Sequence, residues 1–368
     1  MQVTLKAEAL KNKLGYINHA VSNKQQLPIL LNILLEAVEN KLILSSTDLE
    51  IGIQVELSAE VSEAGKTTVP ARTFSELVNS LSADTLTIET EGNNCVVRTH
   101  KTKSVFSTMS ANEFPRLFEE RGVLLASINA VELKKELNAV VFSASIDIAR
   151  PSLSGVYVEQ QDQGFLLVAT DGYRLSLKHF TVGKDDKVNL LEGKPSMIVP
   201  ARAFKEALVI KEETDKIDLY VSSAHNQIIF KQGGTILISR LIEAEFPNYE
   251  KIIPVDFSVT ASFDREEMLK AVRICSIFAR DIANVIKFSL HTDKIVVSAG
   301  ENIVEVDCKI KGEENEIAFN SRYLLEALNN LPSENINFEM TGPLNPGVFK
   351  TTDDASYLHL IMPIKVQE

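Results

Sequence analysis

Apolar positions along this chain recur with two spacings. In "KAEALKNKLGYINHAVS" from residue 6, "NAVELKKELNAVVFSAS" from 129 and "DREEMLKAVRICSIFAR" from 264 they return every third or fourth residue. That spacing lines one face of a helix. Asn129–Glu132 and Asp264–Glu267 open two of these stretches in the manner of a capping box. Elsewhere the runs alternate or are wholly apolar and predict strands: "KLILSST", "LEIGIQVEL", "FLLVATD", "YRLSLKHF", "KIVVSAG" and "NIVEVDCKI", then "TLTIET", "CVVRTH", "KIDLYVSS", "QIIFKQG", "TILISRLI" and "INFEM".

The order of these elements repeats. "VPARTFSEL" at 69–77 returns as "VPARAFKEA" at 199–207, and "EFPRL" at 113–117 as "EFPNY" at 245–249. "FNSRYLLEAL" at 319–328 is a fainter third copy, and "STDLEI" near 47 answers "ATDGYRL" near 170. A second helix opens after each VPAR or FNSR. Three units, each with two helices packed on antiparallel strands, give an α+β class with expected domains 1–122, 123–254 and 255–368.

Composition narrows the chemistry. At 368 residues with 45% apolar content, the chain can build more than one core. Its longest apolar run, "ILLNILLEAV", is too short to span a bilayer, and "MQVTLKAEAL" lacks a secretory pattern. Cys95, Cys275 and Cys308 form no CxxC, and the six histidines are scattered, so a reduced cytoplasmic protein without a metal or cofactor is expected. "AGKTT" at 64–68 resembles the end of a phosphate loop, but Glu60 stands where that loop needs Gly. Asp171 and Arg174 have no nucleophile or second acid beside them, which argues against an enzyme. Net charge is −12, which taken alone argues against nucleic acid.

The repeat, together with "LPILLNILLE" (27–36), "ATDGYRL" (169–175), "FPNYEKIIP" (246–254) and the terminal "LIMPI" (360–364), resembles the bacterial β sliding clamp family over the whole chain. The resemblance implies the DNA-clamp fold and a head-to-tail homodimer closing a ring around double-stranded DNA. It also implies docking of the replicative DNA polymerase, a clamp loader and other replication and repair proteins, with no membrane and no catalytic site. A DNA-modifying enzyme and a DNA-independent scaffold are the alternatives.

Charge distribution agrees with a DNA channel. The six helical stretches hold fourteen Lys and Arg against eight Glu, so helices lining a hole would make it basic inside an acidic chain. Lys24, Arg72, Lys134, Arg202 and Lys205 are the candidate DNA contacts. The family's partner-peptide cleft would use Leu153, Thr170, Gly172, Tyr173, Arg174, Leu175, Pro247, Ile252, Asn320 and Tyr323, with Leu360, Ile361, Met362, Pro363 and Ile364 as its second wall. Phe106, Ile274 and Cys275 are the expected dimer contacts by analogy of position. The chain departs from the best-studied relative at Tyr173 (His there), Lys251 (Arg there), and Pro151–Ser152 (two tyrosines there); Asp147 in the same loop repels phosphate.

Overall fold

The computed structural model describes residues 1–23, 27–117, 122–147, 149–191, 196–222 and 226–365. Six α-helices occur among them: α1 Ala7–Ile17, α2 Ala71–Ser80, α3 Ala130–Val141, α4 Ala201–Val209, α5 Arg265–Ala279 and α6 Ser321–Asn330. Each buries the face its spacing predicts. In α1 this is Ala7, Leu10, Leu14 and Ile17; in α6 it is Ser321, Leu324, Ala327 and Leu328. The Asp264 carboxylate accepts from the Glu267 N–H at 2.8 Å and caps α5, as the sequence predicts. The second helices begin inside the VPAR and FNSR motifs, at Ala71, Ala201 and Ser321.

The chain forms two compact units. One comprises Met1–Ala130, Gly183–Asn189 and Arg202–Leu241, the other Val131–Val182, Leu190–Ala201 and Ile242–Glu368. Compactness therefore does not follow the repeats, because the middle repeat is shared. Its strands Val123–Asn129, Lys216–Ser222, Gln227–Gln232 and Thr235–Arg240 extend the sheet of the first repeat. Its strands Gly155–Gln161, Gly164–Thr170, Arg174–Thr181 and Ser196–Pro200 extend the sheet of the third. Each extension makes a nine-stranded antiparallel sheet, one per unit.

The joints within these sheets are alike. In the first, Thr235–Arg240 pairs with Ile51–Ser58, placing Ile238 opposite Gly52. In the second, the terminal strand Tyr357–Ile361 pairs with Arg174–Thr181, placing Leu360 opposite Leu175, and Gly347–Thr351 pairs on its other side. The turns that lead into them match too. Thr47 Oγ1 accepts from Leu49 N, and Asp48 accepts from Glu50 N and Ile51 N, all at 3.0 Å. Thr170 Oγ1 accepts from Gly172 N at 3.1 Å, and Asp171 accepts from Tyr173 N and Arg174 N at 2.8 and 3.0 Å. The turn needs positive φ at its third residue, which is Gly172 at +92° in one copy and Leu49 at +77° in the other.

Each unit also holds a smaller sheet. Glu60–Glu63, Gln2–Lys6, Thr85–Glu91, Asn94–Arg98 and Lys103–Ser107 form one; Asn302–Asp307, Lys294–Ala299, Val285–Leu290 and Asn315–Asn320 form the other. The run 302–310, expected as one strand, breaks at Cys308. Its second part, Lys309–Lys311, pairs with Val259–Asp264 at the edge of the second nine-stranded sheet. The core of the third repeat is a group of edge-to-face and tilted rings from Phe288, Phe319, Phe338 and Phe349.

Candidate peptide groove, edges and basic helices

Strand alternation splits the tail between two faces. Leu358, Leu360 and Met362 join Leu166, Val168, Leu175, Leu177 and Val348 on the outer face of the second nine-stranded sheet. The segment carrying Phe246, Tyr249 and Phe257 folds over that face beside Tyr157. Tyr157 stacks on Phe246 at 5.2 Å, and its hydroxyl donates to Glu159 at 2.7 Å. Burial first, then Glu250 and Glu159, pushes the Tyr249 phenol up to about 12. These aromatic residues escaped the sequence reading. The signal that could have found them is the strand alternation that puts Tyr157 two residues from Glu159 on one face, plus the EFP segment known to repeat.

The other face holds Tyr357, His359 and Ile361. His359 Nδ1 lies 2.8 Å from Ser176 Oγ, and Tyr357 donates to the Ala139 carbonyl at 3.0 Å. Arg174 belongs to this face as well. Its guanidinium pairs with Asp171 at 3.0 Å and Glu326 of α6 at 2.6 Å, donates to the Phe142 carbonyl, and sits 4.7 Å from the Tyr323 ring. Arg174 and Ile361 were expected as cleft walls; the alternation turns both side chains inward, where they fix the wall instead of lining it.

The remaining cleft candidates cluster around the tail. Tyr173 is 58% exposed and stacks on Tyr323 with centroids 6.4 Å apart. The Tyr173 carbonyl accepts from Met362 N at 2.8 Å, and Ile364 N donates to the Ala318 carbonyl at 2.7 Å, so Met362, Pro363 and Ile364 are half-buried along this edge. Thr170 is buried and used in the turn, while Asn320 caps α6 by accepting from Arg322 N at 2.9 Å. Leu153, half-buried, closes a short turn Pro151–Leu153; Pro247 and Ile252 are exposed on the covering segment.

The dimer candidates divide. Ile274 is 48% exposed on α5, with Ile277 and Phe278 exposed beside it and Ile303 exposed on the sheet-edge strand Asn302–Asp307. Cys275 faces the opposite way: it is fully buried and its thiol donates to the Val297 carbonyl at 3.3 Å. Phe106 is 7% exposed and packs edge-on to Phe74 at 5.8 Å, whereas its neighbour Val105 is exposed. The expectation that Cys275 and Phe106 present contact side chains is therefore corrected. Helical and strand periodicity point Ile274 and Val105 outward in their place.

Among the DNA candidates, Lys24 lies outside the described residues. Arg72 and Lys205 are exposed, Arg72 alongside Glu76 at 3.0 Å, and Lys134 is half-buried. Arg202 pairs with Asp48 and donates to the His19 carbonyl at 2.9 Å, with its side chain still partly exposed. Lys6, Lys211 and Arg280 fall outside the helices, which leaves eleven basic against eight acidic helical side chains. The excess is smaller than the sequence suggested but keeps its sign. Arg72, Lys135, Lys205, Lys270, Arg273 and Arg322 are its exposed members.

Three sequence profiles of one protein family match in tandem: DNA polymerase III beta subunit N-terminal domain over 1–118, central domain over 127–248 and C-terminal domain over 250–365. The chain belongs to the DNA polymerase III beta subunit family. It is 27% identical to a beta sliding clamp of Synechocystis sp. over 391 aligned residues and 28% identical to one of Caulobacter vibrioides over 379, covering 100% of both chains in each case. The solved DNA polymerase sliding clamp from Bacillus subtilis aligns over all of both chains with TM-score 0.91 and 26% identity. A Pseudomonas aeruginosa sliding clamp bound to griselimycin aligns equally fully at 0.91 and 25%. The beta subunit family thus accounts for the three repeats and for the mixed, antiparallel architecture. No helix among the described residues is long and apolar enough to cross a membrane.

Proposed function

We propose that the chain is one subunit of a ring-shaped sliding clamp that encircles double-stranded DNA and tethers the replicative polymerase through the groove beside its tail. The observation that carries this is the apolar face formed by Leu175, Leu177, Leu358, Leu360 and Met362 in a chain whose family is the sliding clamps. The functional repeats are 1–122, 123–254 and 255–368. The groove takes a linear peptide with Leu and Phe anchors, each worth about 1.5–3 kcal/mol on burial. After association costs, that suits exchangeable micromolar partners.

Ring closure uses two sheet edges. Lys103–Ser107 ends the five-stranded sheet and Asn302–Asp307 ends the four-stranded one, each with an exposed apolar residue, Val105 and Ile303. Unpaired edge strands are ready to pair with a neighbour, and two such head-to-tail contacts close a dimer. Exposed helix cations hold phosphates loosely and reversibly. The clamp acts without a catalytic step, in the cytoplasm, and depends on a separate ATP-driven loader for placement on DNA.

The direct test is a fluorescent peptide carrying Gln, Leu and Phe. It binds the parent protein and loses at least 100-fold in affinity to Met362→Asp, because the new carboxylate must be desolvated against the peptide's apolar anchors. Melting temperature and dimer mass stay unchanged. Equal binding by both proteins places the partner site elsewhere. A second test concerns the ring: retention on circular DNA at salt that abolishes simple binding, with release on linearisation, is the expected result.

A further inference from the structure

The first nine-stranded sheet carries the same outer face as the groove, with different residues. The matching turns and registers align the two position by position. Where the groove has Leu175 and Leu177, the first sheet has Gly52 and Gln54. Where it has Val168 and Tyr157, the first sheet has Ser45 and Leu34. The covering segments correspond too: Phe246 and Tyr249 in one, Phe114 and Leu117 in the other.

The apolar hole is already filled in this copy. A Cβ built on Gly52 would meet Ile238 Cγ2 at 2.8 Å and the Leu117 methyls at 3.1 and 3.2 Å. Leu117 thus occupies the space above Gly52, leaving only about 110 Å³ at that point. Next to it the face stays open in a cavity of about 750 Å³, within the range of ligand pockets. Its walls carry Glu36, Gln54, Lys66, Asn112 and Arg116. Lys66 stands directly across from Glu36 in neighbouring strands, and neither they nor Arg116 makes an ion pair among the described residues.

We propose that this cavity is a second docking site, for an extended, polar peptide segment bearing carboxylates. The shared architecture supplies a strand-lined groove for a linear chain. The exchange of Leu and Val for Gln and Ser removes the anchor pockets that an apolar motif needs. Two exposed cations without an ion pair among the described residues, Lys66 and Arg116, on the surface of a chain of net charge −12 select an anionic partner. Glu36 beside Lys66 disfavours a uniform polyanion such as DNA and suits a segment whose carboxylates are interspersed with amides or hydroxyls. This extends the clamp reading to a second contact for a partner held at the first.

The test uses two fluorescein-labelled heptapeptides in the intact protein, one alternating Asp and Ser, the other Asn and Ser, read by anisotropy. The Asp peptide binds saturably and the Asn peptide at least tenfold more weakly. Lys66→Glu with Arg116→Glu lowers Asp-peptide affinity at least tenfold, and Glu36→Gln raises it severalfold. Met362→Asp leaves it unchanged, and the Gln-Leu-Phe peptide does not compete. Absence of saturable binding at millimolar peptide overturns the site, as does equal binding by the double variant. Displacement by a short DNA duplex that also requires Lys66 and Arg116 would make the pocket a general polyanion site and overturn the proposed ligand. Failure of the groove itself is read separately, from the Gln-Leu-Phe peptide and Met362→Asp.

Discussion

The two nine-stranded sheets were built on one plan and finished differently. Both join the middle repeat to a neighbour through an antiparallel strand that enters after a Thr-Asp turn. In the second sheet the joint is leucine against leucine, Leu175 with Leu360, and the face above it accepts Met362 and a layer of aromatics. In the first the joint is glycine against isoleucine, and the chain's own Leu117 lies on it. Under the sheets the contrast reverses. Ser176 and His359 are a buried polar pair in the second, while their counterparts Ile53 and Leu237 are a buried apolar pair in the first. The two copies share register and turn geometry, and single side chains then decide how each face is filled.

The comparison is broken most strongly at Leu175. It is fully buried, so Leu175→Ala leaves a cavity and costs about 2–5 kcal/mol. Hydrogen exchange should show that loss in Arg174–Thr181 and the tail strand, together with loss of groove-peptide binding. The reciprocal change, Gly52→Leu, forces a side chain into space held by Ile238 and Leu117 and costs about 1–3 kcal/mol by overpacking. Exchange should rise in Ile51–Ser58 and Thr235–Arg240, with groove-peptide affinity untouched.

A pH series sharpens the same contrast. Burial, aided by the Arg174 charge, lowers the His359 pKa from 6.5 to about 3, and its Nε2 has no hydrogen-bond partner among the described residues. The native state therefore keeps His359 neutral at pH values where the unfolded chain takes up a proton. Stability contributed by this group is complete above about pH 6.5 and falls by about 1.4 kcal/mol per unit as pH drops toward 3. Exchange in the tail strand of the second sheet should accelerate on acidification more than in the first sheet, and His359→Leu should remove the difference. The smallest effect lies in the turns. Leu49 holds φ of +77°, a conformation costing about 1–2 kcal/mol for a residue with a Cβ. Leu49→Gly should raise the melting temperature slightly, provided the relief exceeds glycine's greater chain entropy of up to about 1 kcal/mol; an unchanged or lower value would mean the turn relaxes around leucine.

The helices and the threefold plan were legible because they rest on local signals: spacing of three and four, and motifs recurring as VPAR and EFP. The sharing of the middle repeat between two units was not, since strand partners such as Ser176 and His359 lie 183 residues apart. For the same reason the tail was read as five wall residues together. Only pairing to Arg174–Thr181 shows that Leu360 and Met362 share a face with Leu175 while Ile361 lies on the opposite one. Arg174 misled for a different reason. The resemblance put it on the cleft wall, but its side chain is buried, held by Asp171, Glu326 and two aromatic rings. Phe106 and Cys275 were placed by analogy, and a single step along the strand or helix exchanged an inward for an outward residue.

The position of Tyr357–Ile361 in the interior of a sheet also fixes the order in which that sheet can be completed. Strands on both sides of it are translated earlier and wait for it, Arg174–Thr181 longest. A chain without Tyr357–Ile361 leaves Leu175 and Val348 facing an unfilled slot. Contacts so distant in sequence form late in folding. The second sheet is therefore completed only when this strand docks between two partners made before it.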